Sequence, residues 1–153
     1  MFGVTKISVV DEVVLAYFRK APSGIKAVSG ILNAVAENGI CVDMISMSPS
    51  VNGEISIAFT VMSEDVSKLI AMTSRLNNKD MVPLINSGNC KITVFGEQMQ
   101  YTKGVAARAL DELACRGCEV KLITTSDVDI SLLVDHSCQD EAVSCLKEAF
   151  ELL

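Results

Sequence analysis

Cys115, Cys118, Cys138 and the sole histidine, His136, are the side chains of this 153-residue chain best suited to metal or thiol chemistry. Cys115-Arg116-Gly117-Cys118 has the CxxC spacing of thiol–disulfide and zinc sites. If Cys118 opens one strand and His136 and Cys138 follow its hairpin partner, antiparallel pairing would bring these groups together as a four-ligand set. The spacing matches no familiar zinc pattern, and a helix ending at Arg116-Gly117 accounts for the residues between the cysteines, so no metal is assigned. Gly104 directly precedes an apolar-periodic segment and so stands at an expected helix start. Taken alone, a glycine at a helix start reports backbone geometry more often than recognition. Catalysis finds no support: there is no GxxxxGK[ST] phosphate loop and no nucleophile elbow, and His136 has no triad companion. No catalytic residue and no cofactor is assigned.

Composition narrows the partners. Lys and Arg total 13 against 19 Asp and Glu, a formal charge of −6. The basic residues are not clustered, which argues against nucleic acid or an anionic membrane surface as the main partner. Half of the residues are hydrophobic, too many for a small fold stapled by disulfides. Cys41, Cys90 and Cys145 lie inside apolar patterns, so the six cysteines read as reduced thiols. The longest apolar runs, such as Val13 to Phe18, fall well short of the roughly 20 residues that span a bilayer, and no basic-then-apolar leader precedes them. A soluble, cytoplasmic protein is expected.

The elements that must position Gly104 are visible as an internal duplication. Sliding the chain by 78 places Lys26 on Gly104, Leu32 on Leu110, Ala36 on Ala114, Gly39 on Gly117, Val42 on Val120 and Ile45 on Ile123. Further on the offset drops to 75, with Ile55-Ser56 on Ile130-Ser131, so the first copy carries three extra residues around Pro49 to Gly53. The hydrophobic period predicts strand, helix, strand, strand, helix in each copy. In the second copy Ile92 and Val94 alternate, then Val105, Ala106, Ala109, Leu110, Leu113 and Ala114 share one helical face until Gly117 stops the helix. Val120 to Ile123 and Ile130 to Val134 form a hairpin, and Ala142, Cys145, Leu146, Ala149 and Phe150 line a last helix. In the first copy the pattern predicts a strand over Val13 to Phe18 and a helix from about Ser23, its N-cap, to Asn38. Strands at Cys41 to Met47 and Glu54 to Val61 follow, then a helix through Val66, Leu69, Ile70 and Thr73. Met81 to Ile85 can close the first unit, with Pro83 tolerable only at an edge. The second copy ends at its helix, so the leading strand Lys6 to Val10 is expected to cross over and complete it. The fold class is therefore α+β: two βαββαβ units with antiparallel sheets and helices on one face. The units are assigned to residues 11–86, and to residues 4–10 together with 88–153.

This arrangement, with the "GVAAR" loop-to-helix turn, resembles a tandem ACT domain, and more narrowly the C-terminal regulatory region of aspartate kinase. "VTKI", "CVDMIS", "EISIAFTV", "KITVFGEQM", "GVAARALDELACRGCEVKLITTS", "DISLLVD" and "AVSCLKEAFEL" stand in that family's order over nearly the whole chain. The resemblance implies an effector amino acid, lysine or threonine, bound where the loop before the first helix of a unit meets a neighbouring strand. It implies feedback control of aspartate-family amino-acid biosynthesis and a homodimer through the ACT units. It also implies an amino-acid-kinase catalytic domain, in cis or in trans, for ATP-dependent phosphorylation of the aspartate side chain, a domain that these residues do not contain.

Carried onto this chain, the implied effector-binding residues of the first copy are Ser23, Gly24, Ile25, Lys26, Ala27, Asp43 and Met47. Those of the second are Met99, Lys103, Gly104, Val105, Ala106, Glu119, Thr125, Ser126 and Asp127. In the first copy the family's loop acid is replaced by Ser23, its glycine by Lys26, and a common glutamine by Met47, which implies lost or altered specificity there. In the second, Lys103 stands where proline is frequent and Glu119 where asparagine is common, and Glu119 or Asp127 could hold an ammonium group. Two further readings stay open: a ligand-silent ACT module serving assembly alone, and a sensor of another amino acid, branched-chain or aromatic.

Overall fold

Alternating apolar side chains on the strands and apolar stripes on the helices build two separate cores. The computed structural model describes residues 2–76 and 81–153. In chain order it contains β1 (Lys6–Pro22), α1 (Ile25–Glu37), β2 (Ile45–Met47), β3 (Glu54–Met62) and α2 (Val66–Ser74). These are followed by β4 (Leu84–Phe95), α3 (Val105–Cys115), β5 (Val120–Thr125), β6 (Asp129–Asp135) and α4 (Gln139–Ala149). The chain divides into a first unit, Glu12–Ser87, and a second unit formed by Met1–Asp11 with Gly88–Leu153. Among the described residues no helix is long and apolar enough to cross a membrane.

In the second unit β6 lies between β4 and β5, and the first residues of β1 lie beyond β4. The β4–β6 ladder runs antiparallel from Asn89 opposite Asp135 to Phe95 opposite Asp129. Cys90, Ile92 and Val94, two residues apart, all meet a core to which α3 contributes Val105, Ala109 and Leu113, and α4 contributes Ala142, Cys145 and Leu146. Strand side chains of one parity point to one face, so both helices cover the same side of the sheet. The crossover of the leading segment closes this unit. The Phe2 ring meets Phe150 edge-on at 5.7 Å, Val4 is buried, and the Thr5 N–H donates to the Phe95 carbonyl at 2.8 Å. The segment passes so close that a Cβ on Gly96 would lie 1.9 Å from the Gly3 carbonyl oxygen. Gly96 is extended, with φ −179°, so a glycine is required there by space and not by backbone angle.

In the first unit β3 lies between β2 and β1, with Val13 to Pro22 of β1 antiparallel to Met62 to Glu54. Val14, Ala16 and Phe18 of β1 and Ile57, Phe59 and Val61 of β3 pack against α1 and α2 residues that include Val28, Ile31, Val35, Leu69 and Met72. The Phe18 and Phe59 rings stack at 6.0 Å.

Several expected boundaries are corrected. The two strands expected at Lys6 to Val10 and Val13 to Phe18 form one strand; the alternation changes phase between Val9 and Val14, and Glu12 sits at φ 56° within the strand. The strand expected from Cys41 begins only at Ile45, because the Thr60 hydroxyl accepts the Met44 N–H at 3.0 Å in place of a regular ladder carbonyl. The closing strand expected at Met81 starts at Leu84, immediately after Pro83, which has no N–H to give. Ala106 and Ala114 are exposed and Leu110 half-buried, so the buried stripe of α3 is only Val105, Ala109 and Leu113.

The helix ends follow the duplication closely. Gly39 and Gly117, 78 positions apart, stand at φ 71° and 69°. Gly117 N–H bonds Ala114 O and Cys118 N–H bonds Leu113 O; Gly39 to Ala36 and Ile40 to Val35 repeat the pair. Each is a Schellman stop. The same pair of bonds ends α4, from Glu151 to Glu148 and from Leu152 to Lys147, with Glu151 at φ 58°. A left-handed non-glycine residue costs about 1–2 kcal/mol, partly offset by the extra unfolded-state freedom of glycine. Glu151→Gly is therefore expected to stabilise the chain by about 0.5–1 kcal/mol, read as a rise in denaturant midpoint with an unchanged m-value. Two other glycines should respond in opposite directions. Gly30, inside α1 with open space around it, should gain about 0.5–1 kcal/mol on change to alanine. Gly96→Ala should lose about 1–3 kcal/mol by overpacking. Equal effects of the two alanines in chemical unfolding would contradict the close crossing of Gly3 over Gly96.

Candidate functional site

The expected binding residues gather mainly at the two places where a strand hands over to the first helix of a unit. In the second unit β4 ends opposite Asp129, and the Gly96 N–H donates to the Val128 carbonyl at 2.9 Å. The connection from Gly96 to Gly104 therefore leaves the sheet beside the β5–β6 turn. Nine residues long, it contains a 3-10 turn over Glu97–Tyr101 whose Met99 is buried in the core. Gly104 is the N-cap of α3 at φ 84°, with no atom within 4 Å of where a Cβ would stand. The first helical bond in α3 is from the Arg108 N–H to the Gly104 carbonyl, at 2.9 Å, so the N–H groups of Val105, Ala106 and Ala107 precede the ladder and face outward along the axis. Together with the helix dipole they form a positive end suited to a carboxylate.

Of the expected second-copy residues, Lys103, Gly104, Ala106, Thr125, Ser126 and Asp127 are exposed. The connection and the β5–β6 turn place them at one end of the unit. Met99 and Val105 are buried and serve the core. The Ser126 hydroxyl closes its own turn, donating to Asp129 Oδ2 at 2.8 Å and accepting from the Val128 and Asp129 N–H groups at 3.3 and 3.2 Å. Thr125 and Asp127 remain as the outward polar groups of that turn. Glu119 lies past the other end of α3, about 16 Å along the axis for an 11-residue helix. It lines a separate groove of about 400 Å³ with Leu110, Ala114 and Gly117.

The first unit makes the same junction with far less chain. The Ser23 N–H donates to the Gly53 carbonyl at 2.9 Å, and only Ser23 and Gly24 separate β1 from α1. Ser23 is not the N-cap as expected. Gly24 is, at φ 118° and without a side-chain cap. The C-caps Asn38 and Arg116 keep the 78-residue offset, whereas the N-caps Gly24 and Gly104 are 80 apart. α1 thus starts two residues earlier than the repeat implies, and Lys26, aligned with Gly104, lies inside its first turn. Ile25 and Lys26 are exposed and Ala27 half-buried. Met47 is exposed at the end of β2, beside the same hairpin, whereas Asp43 is exposed near the opposite end of α1, with its N–H on the Thr60 carbonyl.

The cysteine set does not assemble as four ligands. Cys118 and Cys138 are near neighbours, Cys115 is exposed, and His136 Nδ1 lies 3.3 Å from Asp11 Oδ1. Among the described residues no group of three or more His, Cys, Asp or Glu is placed to hold a metal ion. Burial pushes the Cys90 and Cys118 thiols up to about 11 and raises Cys145 as well. Cys41, expected within an apolar pattern, is exposed. Iodoacetamide at neutral pH should therefore modify Cys41 and Cys115 readily, and Cys90, Cys118 and Cys145 only after denaturant is added. Rapid native labelling of Cys118, read by peptide mass mapping, would contradict this packing.

An ACT-domain family model matches residues 92–150. The chain is 30% identical over 146 residues to the aspartokinase of Bacillus sp. (strain MGA3), covering 93% of this chain and 35% of that protein. It spans about a third of the length of the curated relatives it matches. A crystal structure of aspartokinase alpha and beta subunits superposes with a TM-score of 0.88 at 29% identity, covering 97% of this chain and 99% of the other. The ligand-free regulatory subunit of aspartate kinase from Thermus thermophilus gives the same TM-score at 21% identity, with the same two coverages, a likeness of fold.

Proposed function

We propose that this chain, an ACT-type regulatory region of the aspartokinase family, senses an amino-acid effector, lysine or threonine, at the open start of α3. In this reading the effector carboxylate sits on the N–H groups of Val105 and Ala106, approached over Gly104. Its ammonium faces Asp127, since Glu119 lies past the far end of α3. The observation that carries this assignment is the left-handed Gly104 N-cap, with free space above it, at the end of a nine-residue connection. The two-residue connection in the first unit supports a first-copy junction that has lost this binding mode.

Regulation follows from differential affinity. An effector that binds one arrangement of the units more tightly shifts the population toward it, and a coupling of about 1–3 kcal/mol changes affinity 5- to 150-fold at the linked site. The linked site is an amino-acid-kinase catalytic domain, in cis or in trans, that phosphorylates aspartate in the cytoplasm. β2 is an edge strand of the first unit and β5 of the second, and they carry exposed Ile45, Met47 and Ile123. Edges of this kind favour pairing with a second copy, which supports a homodimer.

Thermal unfolding of the chain in the presence of lysine or threonine tests the assignment. An effector at 100 times its Kd should add about 2.7 kcal/mol of stability. Gly104→Asp, which places a fixed carboxylate on the helix start, should abolish that gain while leaving the unliganded protein folded. A full ligand response in Gly104→Asp would remove α3 as the site. No response to either amino acid, in the chain alone or mixed with its catalytic domain, would count against feedback by these effectors.

A further inference from the structure

We propose that Cys138 and Cys118 of the second unit form a thiol oxidation site, at which a peroxide joins them in a reversible disulfide across the open end of the β5–β6 hairpin. The site lies at the opposite end of β5 from Thr125 and does not depend on the α3 helix start.

Three observations meet here. The first is position. At the open end of the hairpin Val120 of β5 is opposite Val134 of β6. Cys118 stands just before β5, directly after the glycine that stops α3, and Cys138 stands at the N-cap of α4, at the end of the 3-10 turn that follows β6. The two chain segments flanking the hairpin thus each bring a cysteine to the same core, where the two are near neighbours.

The second is access. Cys118 is only 5% exposed, and Cys90 and Cys145 of the same core are fully buried. Cys138 is half-buried, so it is the thiol of this cluster that a small oxidant in solvent reaches first. The Cys145 thiol donates to the Ala142 carbonyl at 3.2 Å within its own helix, and Cys115 is exposed, on the far side of the Gly117 stop from Cys118. Burial pushes the Cys118 thiol up to about 11, so it stays an uncharged, apolar side chain until Cys138 has been oxidised. The third observation is an unsatisfied acceptor. Gln139, next to Cys138, has a buried Oε1 with no hydrogen-bond partner among the described residues. A buried polar atom left unpaired is costly, and a sulfenic hydroxyl on the adjoining residue is a donor of the kind it lacks.

Hydrogen peroxide supplies the oxidising equivalents. The Cys138 sulfur attacks one peroxide oxygen and the O–O bond breaks; the sulfur keeps a hydroxyl as sulfenic acid, and the other oxygen leaves as water with the thiol proton. The Cys118 sulfur then attacks the Cys138 sulfur. An S–S bond forms, the S–O bond breaks, and the hydroxyl leaves as a second water with the Cys118 proton. Two thiols lose two electrons and one peroxide is reduced to two waters. The product is uncharged, so it stays in the apolar core without the desolvation that opposes a Cys118 thiolate.

Peroxide treatment of the full chain, followed by alkylation in denaturant and peptide mass mapping, tests this. The Cys118 and Cys138 peptides should appear as one linked species lighter by two hydrogen atoms, and dithiothreitol should return both as free thiols. Cys118→Ala leaves the Cys138 sulfenic acid with nothing to resolve it, so dimedone labelling of Cys138 should rise several-fold over the unsubstituted chain. Cys115→Ser should change neither result. The proposal is overturned if peroxide leaves both thiols of the unsubstituted chain free, or if Cys138 is found bonded to Cys90, to Cys115 or to a second copy instead. It is equally overturned if dimedone labels Cys138 to the same extent with and without Cys118 in chains of matching circular dichroism. The map of the unsubstituted chain decides by itself should Cys118→Ala fail to fold.

Discussion

The second unit depends on the crossing of two backbones at Gly3 and Gly96. Its own contiguous stretch, from Gly88 onward, supplies three strands and two helices but leaves Phe150 and the β4 edge without cover. Phe2, Val4, Ile7 and Val9 provide that cover, and they reach it only because neither strand carries a side chain where the main chains meet. The unit is therefore assembled from two segments with the whole of the first unit, Glu12–Ser87, between them in the chain. Closing a loop of that length costs chain entropy that must be met by contacts within the finished core. The apolar side chains of the leading segment are that return.

The two copies keep their helix ends and differ at their helix starts. Gly39 and Gly117 stop α1 and α3 with the same pair of hydrogen bonds, since a helix of either sequence must turn its last carbonyls toward the following strand. The starts face no such shared demand. In the first unit two residues suffice to turn the chain from β1 into α1. In the second, a longer path anchored by Met99 delivers Gly104 to the outside. One duplicated frame thus presents a built-up helix start in one unit and a minimal corner in the other, while the first unit spends its extra residues on the β2–β3 hairpin instead.

The thiols illustrate how surroundings decide chemistry. Cys115 and Cys118 have the spacing of a reactive pair, but the helix stop between them sends one outward and the other into the core. Cys118 then behaves as a small apolar side chain whose ionisation is opposed by burial. His136 is drawn to Asp11 instead of to the cysteines.

Periodicity in the sequence determined the duplication, the order of elements, most of the core and the glycine stops, because each is a local pattern or a repeat of one. The crossover of the leading strand was legible too, from the simple count of strands a unit needs. Helix starts were less legible: Ser23 has the right chemistry for an N-cap, but the Gly53 carbonyl takes its N–H and the helix begins at Gly24. The alignment of Lys26 with Gly104 hid this, since sequence offset records the helix stops, which agree, and not the starts, which do not. Only the tertiary structure decided that Met99 is an anchor of the core. It alone set the bulge in β1, where Arg19 and Lys20 stand against Ser56. Hydrogen-bond partners and backbone register depend on residues distant in the chain, and no spacing along one segment carries that information.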